Sequence, residues 1–313
     1  YVYANGKLRG QQGMKLKDIL SYPPRVLSEE QRNQYFSDGY LLLPGFVNKN
    51  WLSILNDGLD DFIEESRKIS KSTDSILLEE GHTSESPRLL RINQVVDHHE
   101  AFWKFATESA LPDLACDIVG PDVKFRESTV NFKWADGGSE IAWHQDIAFM
   151  PHTNLCVFNA LVYLDDVSRE QGPLQVIPGS HKGEIFRHYD AGGNWIARVS
   201  DSDLPRLGVE NAEALTGPAG TLVLLHLCTA HHSSTNTSTR GRPLVFLGYQ
   251  AADSFCYIPF PRAPKSQGYI VRGEPARFAQ HDAIELPLPP DWSGGYTSIY
   301  EDQRKKESAK YKQ

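Results

Sequence analysis

The feature that most narrows the fold of this chain is a change of pattern near residue 122. Before it, apolar residues recur at helical spacing; after it, they alternate or come in short runs. Thr129, Asn131 and Lys133 alternate with Val130, Phe132 and Trp134, which is the period of a strand with one buried face. Short apolar runs follow at 157–164, 174–177, 221–227 and 244–249. Helices first and several short strands after them predict a mostly β fold, a barrel or double-sheet sandwich buttressed by flanking helices.

Upstream, Ser28 with Gln31 three positions on reads as a capping box, opening a short helix to about Ser37. Tyr40–Pro44 reads as a strand. Asn48 is placed to cap a second helix carrying Trp51, Leu52, Leu55, Leu59, Phe62 and Ile63 on one face. A third helix is expected over about 100–119, ended by Gly120. Residues 1–27, with Pro23-Pro24, read as an irregular arm, 70–88 as a mobile loop, and 183–215 as an insertion over one barrel mouth. The expected organisation is an arm over 1–27 and one domain over 28–313. That domain divides into a helical buttress (about 28–120), a β core (about 122–251) and a C-terminal extension (252–313).

Several function classes are disfavoured. The net charge of −8 argues against a nucleic-acid surface. No run of eighteen apolar residues exists, and Tyr1 to Leu20 lacks an apolar signal-peptide core, so neither a membrane span nor a secretory signal is expected. Cys116, Cys156, Cys228 and Cys256 are isolated from one another, which indicates neither a zinc knuckle nor a redox pair. A reducing, cytoplasmic setting is the expectation. The sequence is silent on oligomeric state.

The chemistry concentrates in two stretches. Trp143-His144-Gln145-Asp146 puts an imidazole and a carboxylate on one side of an extended segment. A second histidine, His231, comes 85 positions after Asp146, far enough for a later strand to return and face the first. Arg242 follows 11 positions beyond it. Two neutral imidazoles and one carboxylate form a facial triad that holds iron(II) and leaves positions open for substrate and O2. A 2-oxo acid can chelate two of those positions, and its far carboxylate then needs a planar, bidentate cation such as Arg242. His144, Asp146 and His231 are therefore the candidate metal ligands and catalytic set.

Taken together, H-Q-D at 144–146, I-P-G-S-H at 177–181, H-x-S-x-x-N at 231–236 with Arg242, and D-G-Y-L-L-L-P-G-F at 38–46 resemble the phytanoyl-CoA dioxygenase family of iron(II)/2-oxoglutarate oxygenases. The resemblance runs over roughly 28–251. It implies a double-stranded β-helix (jelly-roll, cupin-like) core, Fe(2+) on His144, Asp146 and His231, and 2-oxoglutarate as cosubstrate. It also implies hydroxylation, or another oxidation, of an unactivated C–H bond in a small or medium organic molecule, with release of succinate and CO2. By the same resemblance Arg242 and Ser233 bind the far carboxylate of 2-oxoglutarate, and Asn131 touches the cosubstrate; Thr129 and Lys133 share its face. Asn159 and Leu161 sit on another presumed inward face, where many members carry a larger aromatic residue. Related halogenases have a small residue in place of the carboxylate, so Asp146 points to hydroxylation.

Other histidines compete for roles. His232 reads as an exposed loop residue or a substrate-facing one, His226 as a core histidine bonded to backbone, and His181 as structural. His152 is a candidate for the pocket wall. The rim is expected from 70–96, 183–215 and 252–275, with Arg88, Arg91, Arg198, Phe255, Tyr257 and Phe260. Two rival readings stand beside the main one: a cupin-like isomerase or cosubstrate-free dioxygenase that uses the same triad without needing Arg242, and a non-catalytic jelly-roll binding module.

Overall fold

Strands β1 (Tyr40–Leu43), β2 (Ile76–Leu78), β3 (Leu89–Asn93), β4 (Val123–Lys133), β6 (Val157–Tyr163), β9 (Leu222–His226), β11 (Arg242–Ala251) and β12 (Ile270–Arg272) make a major antiparallel sheet. Its order is β1-β9-β6-β11-β4-β3-β2, with β12 also on β4. Strands β5 (Ile141–His144), β7 (Leu174–Val176), β8 (Glu213–Ala214) and β10 (His231–Ser233) make a minor sheet in the order β5-β10-β7-β8. The computed structural model describes residues 16–135, 138–258, 264–292 and 298–304.

Register explains what each face does. In β4, β6, β9 and β11 the residues Val130, Phe132, Ala160, Val162, Leu222, Leu224, Val245 and Leu247 point away from the minor sheet and join one large apolar core. That core takes in Leu55, Leu59 and Phe62 of α3 (Lys49–Ser66), Phe102 and Phe105 of α5 (Glu100–Glu108), and Leu111 and Leu114 of α6 (Leu111–Val119). Between those sheet positions, Leu161, Tyr163, Val223, Leu225 and Leu244 face the minor sheet and pack on Leu174 and Val176. The two antiparallel sheets packed face to face are the double-stranded β-helix core, and helices cover its outer major face. Two short helices, α1 (Leu16–Ser21) and α2 (Glu29–Asp38), precede β1; α4 (Val95–His98), α7 (Leu204–Leu207) and α8 (Ile299–Arg304) complete the set among the described residues.

Local sequence signals account for the caps. Ser28 Oγ accepts from the Gln31 backbone N–H, and the Gln31 side chain accepts from the Ser28 backbone N–H, so α2 opens on a full capping box. Asn48 accepts from Trp51 N–H at 3.0 Å and starts α3. Gly39 ends α2 at φ 79°, a left-handed conformation, and a side chain there would collide with His181 and Thr229.

Three expectations need correction. The single helix over 100–119 is two helices, α5 and α6, because Pro112 sits in the first turn of α6 and cannot continue the α5 hydrogen-bond ladder. The loop over 70–88 contains β2, whose buried Ile76 and Leu77 pair with β3; a three-residue strand is too short to announce itself as alternation. The arm is irregular only in part: α1 lies within it, and residues 25–27 are tied down because Asp117 accepts their three backbone N–H groups at 2.7–2.9 Å. Buried Arg32 adds donations to the Ile19 and Tyr22 carbonyls. Residues 1–15 of the arm lie outside the described residues.

Candidate active site

The pairing of β5 with β10 sets His144 directly opposite His231. Each Nδ1 faces the carbonyl two residues earlier, Ala142 O and Thr229 O, both at 2.9 Å. A carbonyl only accepts, so Nδ1 carries the proton and Nε2 keeps its lone pair. Both Nε2 atoms turn to Asp146, 3.5 and 3.7 Å from Oδ1, and the rings stand 4.1 Å apart between centroids. The three potential ligand atoms lie within 4.8 Å of one another, and among the described residues no other group of three or more His, Cys, Asp or Glu is so placed. Burial opposes charge on Asp146; cationic His231 and His144 would offset it, and with the imidazoles neutral it is Arg126 and the Asn159 N–H that favour the carboxylate. Burial, reinforced by His144, pulls His231 down to about 4, so its imidazole is neutral at pH 7. An ionised acid beside a neutral imidazole is the protonation pattern metal ligands need.

A supporting layer fixes these candidate ligands. Asn159 Nδ2 donates to Asp146 Oδ2 at 2.6 Å, which leaves Oδ1 for the histidine side. Asn159 Oδ1 accepts from Arg126, and Arg126 pairs in turn with Glu127 and reaches Met150 Sδ. Arg126 is the extra residue where the β4–β11 register slips between Gly248 and Tyr249. Its guanidinium lies over Gly248: a Cβ there would come within 2.6 Å of Nη2 and 2.8 Å of Cζ. Gln145, between the two ligands, is held away from them. Its side chain donates to Glu184 O and Cys228 O and accepts from Phe186 N–H, and its own N–H donates to buried His188 at 3.0 Å.

Two expected outcomes follow from this layer. Asn159→Ala should weaken metal binding by about 10–100-fold, the usual effect of removing a group that orients a ligand; calorimetric titration with manganese(II) checks it, and an unchanged affinity would count against the arrangement. Gly248→Ala should cost about 1–3 kcal/mol of stability by overpacking against the pinned Arg126, read by chemical denaturation.

The triad opens into a cavity of about 190 Å³ between the two sheets. Thr129, Asn131, Ser233 and Arg242 line it, together with Leu161, Leu244 and Phe246. Arg242 is 4% exposed, and its Nε and Nη1 have no hydrogen-bond partner. Thr129 Oγ1 and Asn131 Oδ1 are buried and equally unpartnered. Burial penalises the charge on Arg242. Unsatisfied buried groups of this kind cost about 1–3 kcal/mol each, more when charged. The Arg242 N–H groups and the Thr129 hydroxyl can donate to an anionic, oxygen-rich ligand beside the candidate metal ligands, as 2-oxoglutarate is, whereas Asn131 Oδ1 can only accept.

Residues 35–244 match the phytanoyl-CoA dioxygenase family. The chain belongs to that family. An L-proline trans-4-hydroxylase from Streptomyces griseoviridis is 32% identical over 234 residues, covering 69% of this chain and 84% of that protein. A probable alpha-ketoglutarate-dependent hypophosphite dioxygenase from Stutzerimonas stutzeri is 27% identical over 277 residues, covering 88% and 96%. Among solved structures, EctD from S. alaskensis with 2-oxoglutarate and 5-hydroxyectoine superposes with a TM-score of 0.65 at 20% identity, over 92% of this chain and 98% of that one. At that identity the likeness supports the fold.

Within this phytanoyl-CoA dioxygenase-family site the other histidines sort cleanly. His232 is half-buried rather than exposed; it lies 4.3 Å from the Trp143 ring and lines the cavity. Burial first, then Lys133, pulls it to about 4. His226 accepts the Cys228 N–H, and His181 bonds the Phe36 carbonyl, both structural as expected. His152 does not reach the cavity: it is buried between Met150 O and the Gln250 side chain, because the chain turns outward after the 3₁₀ turn at Asp146–Ala148. Lys133 shares the inward face but points between strands, donating to Ser233 O at 2.9 Å and to Ser234 O. Burial and the nearby Arg242 push its amine down to about 6.

The expected rim is corrected too. Residues 183–215 contribute no lining side chain; Phe186, Val199 and Leu207 pack on Ile177 and Ala230 behind the minor sheet. Arg198 pairs with Asp201 and Arg88 with Glu79, so of the three rim arginines only Arg91 lines the cavity. Cys256 and Ile258 contribute from 252–275, and Phe260 lies outside the described residues. Trp292, Ile299 and Tyr300 also line the cavity. They come from a C-terminal segment with no motif to mark it; the pair Ile299-Tyr300, apolar within a charged tail, was its one signal.

Proposed function

We propose that this protein is an iron(II)- and 2-oxoglutarate-dependent dioxygenase in which His144, Asp146 and His231 hold the metal and Arg242 holds the far carboxylate of 2-oxoglutarate. The observation that carries the reading is the coincidence in one cavity of three convergent ligand atoms and a buried guanidinium with free N–H groups. With iron(II), 2-oxoglutarate and O2 bound, the centre oxidises a C–H bond while the cosubstrate becomes succinate and CO2.

The chain's own residues supply position and environment. Nε2 of both histidines lies 3.5 and 3.7 Å from Oδ1 of Asp146, a set that would hold iron(II) and leave positions for cosubstrate and O2. Arg242 pairs with the incoming carboxylate, and its satisfaction offsets the cost of burying it alone. Ser233 lines the same cavity, while Thr129 and Asn131, paired in register with Phe246 and Leu244, offer a hydroxyl and an amide oxygen that have no other partner. Leu161, Leu244, Phe246 and Phe149 keep water away from the reacting carbon. No side chain is needed as a general acid or base. A cosubstrate-free cupin chemistry would leave Arg242 buried and unanswered, so the main reading is preferred.

The substrate is a small molecule, and we assign no nucleic-acid role. Among the described residues no helix is long and apolar enough to cross a membrane. We place the protein in a reducing, cytoplasmic setting on the four cysteines, which are free thiols. The test is a metabolite-pool incubation with iron(II) and 2-oxoglutarate, read by succinate release coupled to a product heavier by one oxygen. Absence of succinate from every pool, with and without candidate substrates, contradicts the assignment.

A further inference from the structure

Beyond the metal and cosubstrate groups, one cation of the cavity has no assigned task. Arg91 lies on β3 with Asn131 of β4 as its register partner, so it faces inward, and it lines the cavity. Its Nε is buried without a partner, and it forms no ion pair among the described residues. Glu127 lines the cavity as well, but Arg126 engages it, and burial pulls it toward its neutral form. Tyr300 closes the same cavity from α8 and is 3% exposed, with a hydroxyl that lacks a partner. Burial keeps that phenol protonated, and its unpartnered hydroxyl lines the same cavity as Arg91 and Arg242, where it can donate.

On the assignment above, one carboxylate of 2-oxoglutarate would be held at the metal and the other by Arg242. Arg242 belongs to β11 and Arg91 to β3, with β4 between them. The lining therefore holds one guanidinium more than the cosubstrate uses.

We propose that Arg91 and the Tyr300 hydroxyl form a receptor for an anionic group of the primary substrate, a carboxylate or a phosphorus oxyanion. This rests on the assignment of the triad and Arg242 to iron and 2-oxoglutarate. The substrate class is then a small anionic or zwitterionic molecule, oriented by a fork of two N–H donors at one end and by the apolar wall of Leu161, Leu244 and Phe246 along its body.

The experiment loads the protein with manganese(II) and saturating 2-oxoglutarate, so that Arg242 is occupied, and titrates methylphosphonate, acetate and uncharged acetamide by calorimetry. The anions are expected to bind and acetamide not. Arg91→Gln should weaken anion binding by about tenfold or more, Tyr300→Phe should weaken it to a smaller degree, and Arg91→Lys should keep part of it. In all three variants the 2-oxoglutarate affinity should stay within about threefold of the parent. Equal anion binding in parent and Arg91→Gln, or no anion binding to the parent, overturns the proposal. So does a tenfold loss of 2-oxoglutarate affinity in Arg91→Gln, which would make Arg91 a cosubstrate residue. Failure of the loading step itself would instead strike the iron and 2-oxoglutarate assignment. In that case the same titrations on unloaded Arg242→Gln protein, with and without Arg91→Gln, still decide whether Arg91 holds an anion.

Discussion

Asp146→Ala is expected to abolish turnover and to weaken iron(II) binding by at least about 100-fold, since groups that merely orient a ligand already account for about 10–100-fold. The reason is geometric. Asp146 Oδ1 faces both Nε2 atoms, at 3.5 and 3.7 Å, and is the single anionic donor of the triad. Without it, two imidazoles remain to hold a divalent cation, and the one negative charge among the three candidate ligands is gone. The loss extends outward, because Asn159 gives up its 2.6 Å acceptor and the Arg126–Glu127 pair behind it loses its link to the site. The fold should survive: Asp146 lies at a sheet edge, and the apolar cores do not depend on it. Anaerobic calorimetry with iron(II) and a denaturation curve separate the two effects. A variant that folds, binds iron as the parent does and still releases succinate would remove Asp146 from the account.

Arg242→Gln is expected to raise the KM for 2-oxoglutarate by about 30-fold or more, equivalent to roughly 2–5 kcal/mol for a buried charge pair that loses one partner. Iron affinity without cosubstrate should stay near the parent value, since Arg242 is not among the converging ligand atoms. Stability is the informative control. In the ligand-free protein Arg242 is a buried cation with unpartnered N–H groups, so replacing it should leave stability unchanged or raise it. A variant that loses stability and keeps its 2-oxoglutarate KM would assign Arg242 to structure and pass the carboxylate to another cation, with Arg91 the first to examine.

The parts of this architecture that were legible in the chain are those written in short-range pattern. The Ser28 and Asn48 caps, the alternation along β4, and the H-Q-D and H-x-S-x-x-N stretches each carry their meaning within a few residues. What the chain concealed depends on long-range register. Nothing near Arg126 announces that it fills a bulge over Gly248, more than 100 positions away, and supports Asp146 through Asn159. His188 is one of eleven histidines and became a support for Gln145 only when 183–215 folded behind the minor sheet. Tyr300 reaches the cavity because α8 packs against β5, with Gln303 accepting the Ala142 N–H. The break between α5 and α6 was readable from Pro112, and the helical periodicity around it masked the signal.

Anaerobic crystals grown with iron(II) and 2-oxoglutarate, measured at the iron absorption edge, put the central assignment to its most direct test. One anomalous peak per chain is expected, bonded to Nε2 of His144, Nε2 of His231 and an oxygen of Asp146, with the far carboxylate of 2-oxoglutarate on Arg242. A peak held by any other set of side chains, or none at all in crystals that contain 2-oxoglutarate, would contradict it.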